Sequence, residues 1–379
     1  MKKLLQYKWF SYVVKYAYVV SAILYLLSCL TPFVHPQYFF GFTFLAIGFP
    51  LLLLVMLFWL VFYLFIKKKK SLLIVLMIVL GYKNIVSNIG FVFFKKETAT
   101  TNQSKSIKLL SWNVRDFADD VYVGKKKRGN ERYFEFIKQT NADVVCLQDV
   151  DNIINEWSVP AFNYIRDSLH YPYTYFSIDI DTFIAAYKGR EQYGTCIFSK
   201  YPIVYSNHIN YSGNHFTESL GFADVLVDSK TVRFYNTHLR SMYINLPKEQ
   251  KLTDFKYVVD DTNLIMHSSA FTKVKHFDTS HIAQAELIKK TLDTTTVPFV
   301  FCGDLNSTPS SYVYHILSKN LKDAYLQNHL GWQSTYFSKI PSMRIDVVLM
   351  NSGVDAIDYN SPRLKLSDHT PIITNLIIR

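Results

Sequence analysis

The chain has 379 residues, with 41 Lys+Arg against 30 Asp+Glu and a formal net charge of +11. Residues 1–96 contain 11 lysines and no arginine, aspartate or glutamate, which leaves 30 basic against 30 acidic side chains in the rest. The positive charge therefore belongs to the N-terminal region, which excludes the simplest argument for a nucleic-acid partner, a basic balance across the soluble part.

Residues 11–30 are apolar over a length that spans a bilayer, about 20 residues for a helix. A second apolar run covers 38–66, with Phe42–Phe65 as its core, and Lys67–Lys70 interrupt the pattern. A third run, Ser71–Phe94, contains Lys83, Asn84 and Asn88. A lysine near a helix centre costs about 2.5–3.5 kcal/mol on insertion, so Lys83 is expected to snorkel or to face a neighbouring helix. Repeated apolar runs, with no small-residue cleavage site after the first, read as a retained membrane region over residues 1–96 rather than a signal peptide. Lys2, Lys3 and Lys8 precede the first span, Lys67–Lys70 follow the second, and the Thr31–Tyr38 connection has no lysine or arginine. That bias puts the N-terminus and the lysine turn in the cytoplasm. A third crossing then places everything after residue 96 outside the cytoplasm. In a bacterial cell this describes a multi-pass inner-membrane protein with a periplasmic C-terminal part.

Residues 97–106 are rich in Thr, Asn, Gln, Ser and Lys and read as a linker. From 107 to 379 short apolar runs alternate with amphipathic ones. Strands are expected at Ile107–Asn113, Asp143–Gln148, Thr195–Ser199, Phe222–Val227, Val232–His238, Pro298–Gly303, Arg344–Met350 and Ile372–Ile378. Helices are expected at Glu131–Thr140, His281–Leu292 and Ser310–Ser318. This mixture predicts two packed sheets with helices outside them. The basic run Lys125–Arg128 reads as a solvated loop, and Ser241–Ser280 as a polar, partly helical insertion. The four cysteines, Cys29, Cys146, Cys196 and Cys302, sit in apolar runs and match no zinc spacing, so they read as small buried hydrophobes.

Polar residues recur at the strand ends: Asn113 in SWNVRDF, Gln148 and Asp149 in VVCLQD, Asn236 and His238 in FYNTHL, Asp304 and Asn306 in FVFCGDLN, Asp346 in RIDVVLM, and Asp368 with His369 in LSDHTPI. One aspartate after a strand is normally a turn residue. Six such clusters are costly to bury unless they hold a cation or pair with each other. Oxygen donors with two histidines and no clustered cysteine point to a hard cation, Mg²⁺ or Mn²⁺, rather than zinc.

In this order the motifs resemble those of the endonuclease/exonuclease/phosphatase superfamily of deoxyribonuclease-like phosphoesterases, and the resemblance covers residues 107–379. It implies a four-layer α/β sandwich and hydrolysis of a phosphate ester, most simply a phosphodiester. It also implies that Asn113 and Asp149, with Asp368 nearby, hold the metal, and that Asp304 orients or deprotonates the attacking water. His369 would be the catalytic histidine, with its tautomer fixed by Asp346, and His238 a second active-site histidine. Asn306 and Asn236 would face the substrate, as would Tyr193 in QYGTCIFSK. One departure is that Asp149 stands where the family usually has glutamate, a loss of about 1.5 Å of reach. The substrate class is open between nucleic acid and a phospholipid or sphingolipid headgroup, and no protein partner can be inferred. The competing class of reading is a catalytically weakened membrane scaffold on the same fold. The orientation is checked by fusing alkaline phosphatase after Lys105: the fusion is expected to be active in a bacterial host, whereas activity only of a β-galactosidase fusion would place the domain in the cytoplasm.

Overall fold

The computed structural model describes residues 8–66, 68–93, 106–117, 130–155, 159–185, 188–211, 218–241, 267–338 and 342–379. The run Lys125–Arg128, the linker up to Lys105 and residues 242–266 of the expected insertion lie outside the described residues.

Helices α1 (Lys8–Ser28) and α2 (Gly41–Leu64) are long and apolar enough to cross a membrane. They pack through Tyr18, Tyr25, Phe49, Met56 and Trp59. Their outer faces leave Tyr12, Tyr16, Leu54, Phe58 and Val61 exposed, a large apolar surface that suits lipid rather than water. The third expected span is corrected. Residues 71–93 do not form one helix: α3 (Lys68–Leu80) and α4 (Tyr82–Asn88) meet at a bend of 62°. The region therefore has two candidate spans, or three if the bent pair counts as one. The bend falls at Gly81, where a Cβ would lie 2.1 Å from the Tyr25 hydroxyl. That hydroxyl donates to the Ile78 carbonyl at 3.1 Å, a side-chain insertion of the kind that breaks a helical ladder. Lys83 follows the bend, with its ammonium 4.7 Å from the centroid of the Phe33 ring.

After a two-residue strand β1 (Gly90–Phe91), the C-terminal part runs β2 (Ser106–Asn113), α5 (Asn130–Thr140), β3 (Val144–Ile154), α6 (Ala161–Asn163), β4 (Tyr173–Ile184), β5 (Gly189–Ser199), β6 (Ile203–Asn210), β7 (Ser219–Val227) and β8 (Lys230–His238). It continues with α7 (Ala270–Thr294), β9 (Phe299–Asp304), α8 (Tyr312–Leu317), β10 (Lys322–Asp323), α9 (Ala324–Asn328), β11 (Leu330–Gly331), β12 (Asp346–Met350), β13 (Val354–Ala356) and β14 (Ile372–Ile378). The C-terminal part of the expected insertion is thus the first half of α7.

Two six-stranded sheets form, ordered β13-β14-β2-β3-β5-β4 and β10-β12-β9-β8-β7-β6. Each has one parallel pair at its centre, β2 with β3 and β8 with β9. Ile107, Leu109, Cys146, Ile197, Phe234, Val300, Cys302 and Val348 fill the space between the sheets. Leu110, Trp112, Val145 and Leu147 face the other way, against Tyr133 and Ile137 of α5. Tyr235, Phe301 and Val347 pack outward against Ile282, Ala285 and Ile288 of α7. Central strands covered on both faces must be apolar at successive positions, which accounts for runs such as VVCL and FVFC. The result is the expected four-layer α/β sandwich.

One close approach fixes the β4 edge of the first sheet. A Cβ at Gly194 would lie 2.0 Å from the Ser177 carbonyl and 3.1 Å from the Asp179 amide, both backbone atoms of β4. Gly194→Ala must therefore move a strand, at a cost of about 3 kcal/mol. The melting temperature of the purified chain is expected to fall by roughly 6–12 °C.

Candidate active site

Both parallel pairs deliver their carboxyl ends to one region, the usual place for a site in a sheet of this kind. In register, Asn113 pairs with Gln148, and Asp304 lies between His238 and Asp346. The Asp304 carboxylate is 1% exposed and occupies the centre. Its Oδ1 accepts the Asn306 amide at 2.8 Å, and its Oδ2 accepts Asn113 Nδ2 at 3.0 Å. The same Oδ2 faces His369 Nε2 at 3.5 Å and His238 Nε2 at 3.6 Å. Asn306, at a φ of +46°, sends Nδ2 to the Leu239 carbonyl at 2.7 Å and to His238 Nε2 at 3.2 Å. A non-glycine residue in this conformation is uncommon, and such strain gathers at functional sites.

Asp346 grips the other side of His369, with Oδ2 and Oδ1 at 2.9 and 3.1 Å from Nδ1. Burial opposes protonation of His369, but the charges of Asp346 and Asp304 outweigh it and hold the imidazole up at about 10. Asp304 is raised as well: burial and the Asp346 charge push it up against the pull of His369 and His238. The Tyr336 ring lies 5.0 Å from that of His369, centroid to centroid. Asp368, 33% exposed, brings Oδ1 to 3.9 Å from His369 Nε2.

Asp149 sits at a β-bulge where the pairing of β3 with β5 slips between Leu147 and Val150, and its φ is +57°. A bulge re-aims a side chain. Here the carboxylate accepts the hydroxyl of Tyr193 from the neighbouring strand. The expected residues thus divide. Asn113, His238, Asp304, Asn306, Asp346, Asp368 and His369 form one connected cluster, and Asp149 with Tyr193 forms a pair at the bulge.

Asn236 lies apart from both. Its amide is fully buried, donating to the Leu147 and Cys196 carbonyls at 2.9 Å each and accepting Gln148 Nε2 at 2.6 Å. It ties the two sheets together and presents no open group.

Further residues hold these groups in place. Thr335 Oγ1 accepts the backbone amides of Ile345 and Asp346, both at 3.0 Å. Ser367 donates to the Asn113 carbonyl at 2.9 Å, and Trp112 Nε1 to the His369 carbonyl at 3.1 Å, which locks the last loop onto β2. Glu218, which accepts Gln284 Nε2 at 2.8 Å, is pushed up to about 7 by burial; His238 and Arg240 oppose that shift, and Asp149 adds to it.

Among the described residues, Asp304, Asp346 and His369 can each place one ligand atom within 4.8 Å of the others. A proton explains that trio equally well, because Nδ1 is committed to Asp346 and Nε2 faces Asp304. Asp149, Asp368 and Asn113 offer oxygens, hard donors whose chemistry fits Mg²⁺ or Mn²⁺, and Asn113 Oδ1 also accepts the Arg115 amide at 3.0 Å.

Residues 110–369 match the endonuclease/exonuclease/phosphatase family, and residues 10–88 match a domain of unknown function. No curated protein matches. A solved endonuclease/exonuclease/phosphatase from Beutenbergia cavernae aligns at 17% identity and a TM-score of 0.51, covering 72% of each chain. One from Bacteroides vulgatus aligns at 19% identity and a TM-score of 0.48, covering 73% of this chain and 100% of its own. Sphingomyelinase C from Streptomyces griseocarneus aligns at 16% identity and a TM-score of 0.45, covering 72% and 99%. The chain belongs to the endonuclease/exonuclease/phosphatase family.

The geometry of Asn236 gives a direct test. Asn236→Leu removes the donors to two buried carbonyls, while the Gln148 amide keeps Ser111 Oγ at 3.2 Å and the Cys146 carbonyl at 3.3 Å, so stability is expected to fall by about 1–3 kcal/mol. Denaturant titration measures the loss, and KM of the folded fraction should hold; a raised KM at normal stability would return Asn236 to the substrate.

Proposed function

We propose, on the premise of that family membership, that the chain is a membrane-anchored, divalent-metal-dependent phosphoesterase that cleaves a phosphodiester by attack of water. The observation that carries this reading is the Asp304 carboxylate set between two imidazoles, one of them pinned by Asp346. Such a group can take the proton of an attacking water, while its neighbours answer the charge that builds on phosphorus-bound oxygens. Held protonated, His369 donates Nε2–H to a non-bridging oxygen. Asp346 keeps the ring in place and keeps it cationic. His238 and the Asn306 amide lie on the other flank of Asp304, where they can meet a second phosphate oxygen. Asn113, Asp149 and Asp368 are assigned to hold the cation, which supplies positive charge to the phosphate and the leaving oxygen. Tyr193 orients the Asp149 carboxylate through their hydrogen bond.

The docking of the two parts supports the anchor. Thr31 Oγ1, just past α1, donates to the Ser310 carbonyl at 2.6 Å, and Thr43 Oγ1, in the first turn of α2, to Asp278 Oδ2 at 2.6 Å. These contacts lie at the end of the helices away from Lys68–Lys70, about 36 Å distant along α2. With lysines on the cytoplasmic side, the catalytic part belongs on the outer face, where it can reach a lipid headgroup or an extracytoplasmic nucleic acid.

Asp304→Asn and His369→Ala are expected to lower kcat by on the order of 10²–10⁴-fold with a smaller change in KM, and the double variant far less than multiplicatively. Asp346→Ala should be milder. Exhaustive chelation should abolish turnover, and Mg²⁺ or Mn²⁺ should restore it. Normal turnover in a less stable Asp304→Asn protein would defeat the catalytic assignment of Asp304, a wild-type chain without metal-dependent diester hydrolysis would favour the scaffold reading, and full activity after chelation would remove the metal.

A further inference from the structure

The apolar N-terminal region carries buried polar side chains that anchoring does not require. Asn84, Ser87 and Asn88 of α4 are all buried. Ser87 Oγ donates to the Pro309 carbonyl at 2.9 Å, and Asn88 Nδ2 to Ser310 Oγ at 2.7 Å. Both acceptors belong to the loop that leaves Asp304 and Asn306. Directly after α4, β1 pairs with β11, Phe91 opposite Leu330 and Gly90 opposite Gly331. Four residues later in the chain, Thr335 holds the amides of Ile345 and Asp346.

Arg344 closes the circuit. Its guanidinium is 1% exposed and lies 4.5 Å from the centroid of the Tyr325 ring. Nη1 donates to Asp323 Oδ2 at 2.8 Å, while Nη2 donates to the Ser87 carbonyl at 2.9 Å and to the Tyr314 hydroxyl at 3.3 Å. The last carbonyls of a helix lack partners within it, and a cation near them is favourable. The catalytic part therefore caps α4: Arg344 takes the Ser87 carbonyl, and the Tyr325 hydroxyl, which donates to the nearer Gly331 carbonyl, lies 3.3 Å from that of Asn88. Arg344 stands two residues before Asp346, so the strand that aims Asp346 at His369 starts from a guanidinium fixed to α4.

We propose that the segment Tyr82–Phe91 is a working part of the catalytic unit, and that Arg344 is a positioning residue that aligns the Asp346–His369 pair through Ser87. The proposal rests on the phosphoesterase reading for its turnover arm alone. Misplacement of a catalytic group by about 1 Å can cost up to 10²-fold in rate, and loss of this buttress acts on geometry without removing a reacting group.

The test uses the full chain in detergent, with bis(4-nitrophenyl) phosphate and Mn²⁺ for turnover and the downfield imidazole N–H proton of the Asp346–His369 bond as a second readout. Arg344→Met is expected to lower kcat on the order of 10–100-fold with KM nearly unchanged, and to shift or broaden that resonance. Arg344→Lys should recover part of both, since an ammonium can still reach the Ser87 carbonyl and Asp323. Asn88→Leu changes the contact from the helix side, far from any reacting group, and should act in the same direction; it decides the matter should Arg344→Met fail to fold. Wild-type kcat and an unshifted resonance in Asn88→Leu would overturn the proposal. A wild-type chain that hydrolyses no phosphodiester would defeat the phosphoesterase reading instead. The resonance then decides the positioning role by itself: a shift in Asn88→Leu supports it and an unchanged line overturns it.

Discussion

A carboxylate withdrawn almost wholly from water is the constraint around which this protein is arranged. An unpaired buried charge is expensive, and pairing lowers the cost only if donors reach it in good geometry. Asp304 meets that requirement through donors from separate stretches of chain: Asn113 from the end of β2, the Asn306 amide from its own loop, and imidazoles from the end of β8 and the start of the β14 approach. No local segment can supply these together. The sandwich brings them together by stacking two sheets whose central parallel pairs end on the same side. Asn236, Gln148, Ser367 and Trp112 then hold the layers and the last loop in register.

The site was legible in sequence because its residues interrupt otherwise apolar strands. WN, GD-x-N, R-I-D and S-D-H mark positions where burial would be unfavourable without partners, and the structure supplies partners at each of them. Asn236 obeys the same logic with a different outcome: its partners are backbone carbonyls of the facing sheet, and periodicity cannot distinguish an amide that closes a layer from one that opens to a ligand. Thr335 was invisible for a related reason. It acts by accepting bonds from the backbone of motif residues, and an ordinary hydroxyl in a loop carries no pattern.

The strands that sequence reading missed are those at the rims. β4 and β6 each lie at the end of their sheet. β4 reads YTYFSIDIDTFI and β6 IVYSNHIN, with exposed or half-exposed side chains along most of their length. Edge strands keep polar side chains toward water, which blunts further pairing and also removes the apolar run that announces a central strand. The bulge at Asp149 had a comparable effect: it extends β3 to Ile154 past a point where the pattern ends, so only the first half of the strand was apparent.

The third apolar run shows most clearly how one residue type can serve two environments. Lys83, Asn84 and Asn88 weaken that run as a membrane span when judged alone. In the folded chain they mark the point at which the apolar helices meet the C-terminal layers. The helix breaks at Gly81, and beyond the break the polar side chains turn from a cost into contacts: Asn84 Nδ2 reaches the Ser28 carbonyl at 2.8 Å, and Ser87 and Asn88 reach the loop behind Asp304. A flexible tether would need none of this, since surface retention requires only a hydrophobic anchor and a linker. Buried polar groups that meet specific partners fix an arrangement more firmly than apolar packing does, because an alternative placement loses those directional bonds. The N-terminal helices are thus joined to the catalytic layers by directional contacts, and the position of the active site relative to those helices is set by the fold itself.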